Sequence, residues 1–164
     1  MGKFYSTKTY GNDRGLSCCF RQWKSTHSHC SLIHGYSIGI KLIFECDELD
    51  DRNWVMDFGG LKKFKDWLEH MFDHTTLVAE DDPHLDFFKE MASIGSIGPE
   101  GNSALCDLRI VPGVGCERFA ELAWNKMNTL IQESIQNGTA LNKTVKIKSV
   151  EVFEHGANSA IYEG

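Results

Sequence analysis

Tyr36-Ser-Ile-Gly-Ile-Lys-Leu-Ile-Phe-Glu-Cys46 is the stretch that decides the fold. Tyr36, Ile38, Ile40, Leu42, Phe44 and Cys46 fall on one face, and Ser37, Gly39, Lys41, Ile43 and Glu45 on the other. That two-residue period is the mark of a half-buried strand. An apolar sheet face needs a second layer to cover it, and the flanking segments supply one. Upstream, residues 3–10 and 16–23 read as extended, joined by the turn-rich link Gly11-Asn-Asp-Arg-Gly15, which predicts a strand pair or one long bulged strand. A polar, His-rich loop follows from Lys24 to Ile33.

Downstream, Leu61, Phe64, Trp67, Leu68, Met71 and Phe72 recur at helical spacing and predict an amphipathic helix ending near Asp73-His74. Residues 75–114 carry short apolar runs broken by Gly95, Gly98, Pro99 and Gly101. They read as a loop-rich insertion holding a short helix from Pro83 to Met91 and a brief strand at Leu108–Pro112. A second helix is expected from about Cys116 to Gln136, with Phe119, Leu122, Ala123, Met127, Leu130 and Ile131 inward and Asn137-Gly138 as its stop. Val145 to Glu154 reads as a strand, Gly156-Ala-Asn-Ser159 as a turn or bulge, and Ala160–Tyr162 as the closing strand. Strands, then helices, then strands point to an α+β fold, an antiparallel sheet with two helices packed on one face, over a single domain spanning 1–164.

Composition narrows the partners. A formal charge of −6 with no Lys/Arg cluster offers no footprint for nucleic acid, so a small molecule or another protein fits better. No apolar run approaches the roughly 18 residues needed to cross a bilayer, and the polar start does not resemble a signal peptide. The expectation is a cytoplasmic protein without a membrane partner, whose six cysteines are free thiols.

Reactive side chains concentrate at Cys30-Ser-Leu-Ile-His-Gly-Tyr36, preceded by His27 and His29. Cys30, flanked by His29 and followed by His34, suits a reactive thiolate, although a loop cysteine also commonly just packs. His27, His29 and His34 together suit a zinc site with an open fourth position, or are simply solvated. Asp73 and His74 make an orienting carboxylate and a base, or a favourable helix end. Glu154, closing a strand just before Gly156, is placed to accept two donors from a flat heterocycle such as an amino-pyrimidinone; the alternative is a surface carboxylate. Gly115-Cys116-Glu117 opens a helix whose free N–H groups suit a ligand.

Six blocks in order resemble the 6-pyruvoyltetrahydropterin synthase and 6-carboxytetrahydropterin synthase family, small proteins of the tunnelling (T-) fold. Leu16-Ser-Cys-Cys-Phe-Arg21 is similar to the family's Phe-Ser-Ala-Ala-His-Arg, and Cys30 to Tyr36 to its Cys-(x)3-His-Gly-His. Val55-Met-Asp-Phe-Gly-Gly-Leu-Lys62 resembles its Ile-Asp-Phe-x-x-Leu-Lys, and Asp73-His74-x-x-Leu77 its Asp-His-x-x-Leu. Cys116-Glu117 resembles the end of its Pro-Thr-x-Glu, and Glu154 to Tyr162 its closing strand pair. The resemblance implies a ββααββ subunit with a four-stranded antiparallel sheet, assembling with copies of itself into a trimeric barrel or a hexamer with active sites between subunits.

It also implies a pterin substrate. Cys30 would be the catalytic thiol, Asp73 and His74 its relay, and Glu154 the pterin anchor, with Cys116 and Glu117 at the substrate. The activity implied is a lyase of the 6-carboxytetrahydropterin synthase type, consuming 7,8-dihydroneopterin triphosphate toward 7-deazaguanine (queuosine-type) biosynthesis. The family binds zinc through three histidines, but here the first aligns with Phe20 and the last with Tyr36, leaving His34. Two readings stay open. Either His29 or His27 joins His34, with Cys18, to rebuild a zinc site; or the metal is gone and the pocket serves another pterin in aldolase- or epimerase-like chemistry, or only binds a pterin or purine.

Overall fold

In a computed structural model, which describes residues 2–164, the chain forms an α+β fold of two four-stranded sheets, a small hairpin and three α-helices. The first sheet is antiparallel and is built from β1 (Phe4–Tyr10), β4 (Gly39–Cys46), β9 (Lys146–His155) and β10 (Asn158–Glu163), in the order β1-β4-β9-β10. Along β4 the predicted inward face holds, with Ile40, Leu42 and Phe44 fully buried and Cys46 nearly so. The second sheet, in the order β3-β2-β5-β8, joins β2 (Ser17–Phe20), β3 (His34–Ser37), β5 (Thr75–Ala79) and β8 (Leu108–Val111). Here β2 runs antiparallel to β3 and parallel to β5, which is parallel to β8. The hairpin pairs β6 (Ile97–Gly98) with β7 (Gly101–Asn102).

Tyr36–Cys46 is not one strand: it breaks at Ile38, with Tyr36 and Ser37 in β3 of the second sheet and Gly39–Cys46 forming β4 of the first. The sequence reading is corrected in two further places. The segments on either side of Gly11–Gly15 are neither a strand pair nor one bulged strand, because β1 pairs with β4 and β2 with β3 and β5. A 3-10 turn at Asn12–Arg14 and a left-handed Gly15 (φ 83°) carry the chain from one sheet to the other. The second correction is β5, within what reads as a loop-rich insertion. All five of its residues are buried, so the strand shows no alternation to detect. The short helix in that region is present as α2 (Leu85–Ala92).

Asn12 holds the two sheets in register where the chain crosses between them. Its Nδ2 donates to the carbonyls of Ser37 at 2.7 Å and Phe153 at 3.2 Å, and its own carbonyl accepts from Ser37 Oγ at 2.6 Å. The turn packs so closely that a Cβ on Gly39 would stand 3.0 Å from Asn12 Oδ1. Position 39 is therefore limited by space to a residue without a side chain.

Two helices carry the core. In α1 (Lys62–Phe72), Phe64, Leu68 and Phe72 are buried at the predicted spacing. In α3 (Cys116–Gln136), Phe119, Ala120, Ala123, Met127 and Ile131 face β9 and β10. Aromatic edges join the layers, with Phe119 meeting Phe20 at 5.1 Å and Phe72 at 5.2 Å between ring centroids. All six cysteines are unpaired. Among the described residues no helix is long and apolar enough to cross a membrane.

If Asn12 joins the sheets as this geometry requires, Asn12→Ala will lower unfolding free energy by about 1–3 kcal/mol, since carbonyls at the crossing lose their donor. Leu105→Ala, on a side chain 62% exposed, will change it by less than about 0.5 kcal/mol, both read by urea titration.

Candidate functional site

The strand ends that Asn12 gathers open onto a cavity of about 210 Å³. Phe20 closes β2 at its floor, and Tyr36 reaches it from β3. Cys30 enters from a 3-10 turn at His29–Ser31, where Ser28 Oγ accepts from the Cys30 N–H at 3.1 Å and the Cys30 carbonyl accepts from the Gln22 N–H at 2.8 Å. Glu154 comes from the end of β9, and Gly115, Cys116 and Glu117 from the start of α3. Thus Cys30, Glu154, Cys116 and Glu117, singled out from the sequence, line one cavity.

Three lining residues were not anticipated: Gln22, Asn158 and Ser159. Gln22 had a signal in Gly115, whose φ of +114° suits glycine and whose Cβ would stand 2.7 Å from Gln22 Nε2. Asn158 and Ser159 belong to the bulge read at Gly156-Ala-Asn-Ser159, where the register of β9 and β10 shifts. That bend brings β10 to the rim.

The cavity is acidic, with two carboxylates, Glu154 and Glu117, and no Lys or Arg among its lining residues. Burial first, then Glu154 and Cys30, push the Tyr36 phenol up to about 12. Burial, then Glu154 and Glu117, push the Cys116 thiol up to about 11. Both therefore keep their protons at neutral pH and remain donors beside carboxylate acceptors. Among the described residues the Glu154 carboxylate, the Cys30 thiol and the Tyr36 hydroxyl have no hydrogen-bond partner in the chain. Glu154 meets Asn12 only through its backbone carbonyl, at 3.4 Å.

Asp73 and His74 are placed elsewhere. They bond to one another at 2.5 Å through Asp73 Oδ1 and His74 Nδ1, and His74, at φ 56°, donates its backbone N–H to Ser17 at the opposite end of β2 from Phe20. Neither lines the cavity.

The three histidines singled out from the sequence do not converge on one point. Among the described residues no three His, Cys, Asp or Glu side chains converge to hold an ion. His27 and His29 are exposed, and the bond of His34 Nδ1 to the Leu32 carbonyl at 2.8 Å leaves only its Nε2 open to a ligand. Cys18 is buried, and burial first, then Cys19 and Cys116, push its thiol up to about 12, so without a metal it is a neutral thiol. Phe20 and Tyr36 stack face to face at 4.0 Å with planes 7° apart, so the residues present do not fit zinc.

A larger cavity, of about 630 Å³, lies between α2 and Leu32-Ile33. Its one cation, Arg21, is taken by Asp82 in a paired contact at 2.9 and 2.7 Å. It offers apolar walls without convergent free polar groups, and the smaller cavity is the better candidate on chemistry.

Comparison with known proteins bears on the family and the fold. The family model described as 6-pyruvoyl tetrahydropterin synthase matches residues 12–164. A 6-carboxy-5,6,7,8-tetrahydropterin synthase of Rickettsia conorii is 28% identical over 57 residues, 34% of this chain and 41% of that protein; the Rickettsia felis enzyme matches equally. The matched stretch thus spans less than half the length of these curated relatives. Among solved structures, an uncharacterized protein from Wolinella succinogenes superposes with a TM-score of 0.74 at 20% identity, covering 100% of this chain and 99% of that one. The 6-pyruvoyl tetrahydropterin synthase of Plasmodium falciparum gives 0.64 at 13% identity, covering 99% and 98%. These two likenesses establish a shared fold.

The thiols provide a check on this environment. Limited alkylation with iodoacetamide near pH 8 is expected to modify partly exposed Cys30 ahead of Cys116, which at a pKa of about 11 is only about a thousandth thiolate there. Raising the pH toward 11 will bring Cys116 into the digest, read by peptide mass spectrometry.

Proposed function

The chain belongs to the 6-pyruvoyl tetrahydropterin synthase family, and from that premise we propose that it is a lyase of the 6-carboxytetrahydropterin synthase type. Its substrate is 7,8-dihydroneopterin triphosphate, and its place is in the cytoplasm, toward 7-deazaguanine (queuosine-type) biosynthesis. The observation that carries the proposal is the meeting of Cys30 and Glu154, distant in sequence, in one cavity.

Each lining residue has a task in that reading. The Glu154 carboxylate, free of internal partners, accepts two parallel N–H bonds from the 2-amino group and ring N–H of the pterin. The absence of lining cations favours a ring edge that donates over one that accepts. Cys116 lends a neutral donor at the other side of the ring. Cys30 then stands at the side chain of the substrate, where as thiolate it takes a proton and returns it while triphosphate leaves and the side chain is rearranged or cleaved.

Asp73 and His74 serve this site only from a neighbouring copy. Both edge strands of the first sheet, β1 and β10, expose apolar side chains, Phe4 and Tyr5 on one and Ile161 on the other, suiting an assembly by edge pairing into a trimer or hexamer. Within it the paired Asp73 and His74 of one chain relay protons to Cys30 of the next.

The Phe20–Tyr36 pair favours a second reading, because it removes the metal donors that the triphosphate elimination uses in the family. In that case the protein acts on another pterin, in aldolase- or epimerase-like chemistry, or binds a pterin or purine unchanged.

Incubation with 7,8-dihydroneopterin triphosphate separates the readings. Consumption is expected, Cys30→Ala should slow it about a hundredfold or more, and Glu154→Gln should raise KM about tenfold to a hundredfold. No turnover with or without zinc supplied would remove the lyase reading, and turnover of a dephosphorylated pterin alone would establish the second. Mixing inactive Cys30→Ala with inactive His74→Ala chains should restore part of the activity, since one intact site forms between the two.

A further inference from the structure

The sheet face beneath the cavity is set by the register of β2 and β3. Cys18 lies opposite Tyr36 and Phe20 opposite His34, so all four side chains share one face. In an antiparallel pair, diagonal neighbours on a face are within reach of aromatic rings. Phe20 and Tyr36 occupy one diagonal and stack at 4.0 Å, which leaves Cys18 and His34 on the other, with the rings between them.

The stack is braced on every side. Phe20 is 2% exposed and meets the edge of Phe119 at 5.1 Å. Tyr36, stacked on Phe20, also meets the His34 ring at 4.5 Å, tilted by 38°. His34 is itself turned by its bond to the Leu32 carbonyl. With one face stacked on Phe20 and His34 packed against it, Tyr36 is held at the cavity that Glu154 and Cys30 also line.

We propose that this cavity takes its ligand without a metal ion, and that the Tyr36 hydroxyl, held by the stacked Phe20 and the neighbouring His34, is the hydrogen-bond donor to a ligand oxygen or ring nitrogen there. The identity of the ligand as a pterin rests on the function proposed above. The absence of the metal does not, because it rests on two carbocyclic rings standing on the face where imidazoles would be needed. A phenol differs from a Lewis acid in kind. It donates one directed hydrogen bond and cannot hold two ligand oxygens at once, so the site favours a ligand with a single acceptor at this position.

Two measurements on the full-length protein test the proposal. The first is zinc content after equilibration with zinc and removal of the excess, read by elemental analysis. The wild type is expected to retain less than about a tenth of an equivalent per chain, and the Phe20→His/Tyr36→His double variant about one, three imidazoles then sharing the face. One zinc per wild-type chain, lost in His34→Ala, would overturn the metal-free site. A folded double variant that takes none would overturn the placement of the rings.

The second is fluorescence titration with neopterin in the presence of a chelator. The wild type should bind, and Tyr36→Phe, which keeps the stack, should bind about tenfold more weakly with unchanged thermal stability. Equal binding by Tyr36→Phe would overturn the donor role. Binding that appears only when zinc is supplied would overturn the metal-free site and leave the pterin reading standing. Failure to bind neopterin under either condition would overturn the pterin reading and the donor role, while the zinc content decides the metal separately.

Discussion

One asparagine holds the architecture where the chain changes sheets. The path passes from the first sheet to the second between Tyr10 and Ser17 and returns between Ser37 and Gly39. Asn12 bonds across both crossings and reaches the Phe153 and Glu154 carbonyls at the end of β9. Its side chain can do this because a 3-10 turn aims it inward and because Gly39 has no Cβ to keep it away. The strand carrying Tyr36 and the strand end carrying Glu154 are therefore set against one another by backbone-directed hydrogen bonds, and the loop carrying Cys30 is tied separately, its carbonyl accepting from the Gln22 N–H. A site built this way is positioned by the fold before any ligand arrives.

From the cavity inward, the aromatic residues form a continuous path. Tyr36 stacks on Phe20, Phe20 meets Phe119, Phe119 meets Phe72, and Phe72 meets Trp67 at 5.9 Å. The floor of the cavity is thus the end of the core, and α1 and α3 support it directly. Rings in edge-to-face contact tolerate little displacement. The departure from the family's histidine positions is consequently a coherent one: Phe20 is a core residue as well as a cavity residue.

Much of this was legible in the sequence where one face differs from the other. The alternation through Ile38–Cys46 and the helical spacing of Phe64, Leu68 and Phe72 predicted their elements because water lies on one side of each. Thr75–Ala79 escaped because it is buried on both faces, and the β1–β2 relation escaped because glycine-rich links make either a hairpin or a change of sheet. At the site, the resemblance of short blocks brought out Cys30, Glu154, Cys116 and Glu117. It could not show that Asp73 and His74 lie at the far end of β2, since distance within one chain is set by strand direction. Nor could it show how three histidines in a window are arranged: His27 and His29 lie outside the face that Tyr36 and His34 share.

The claim on which the account turns is that the Cys30–Glu154 cavity is the pterin site. A crystal structure of the protein soaked with neopterin tests it most directly. The account predicts the ring in this cavity, its 2-amino edge paired with the Glu154 carboxylate, its side chain toward Cys30, and the Tyr36 hydroxyl within hydrogen-bond distance of the ring or its side chain. Neopterin seated instead in the apolar groove between α2 and Leu32-Ile33, with the Glu154 carboxylate unengaged, would contradict it.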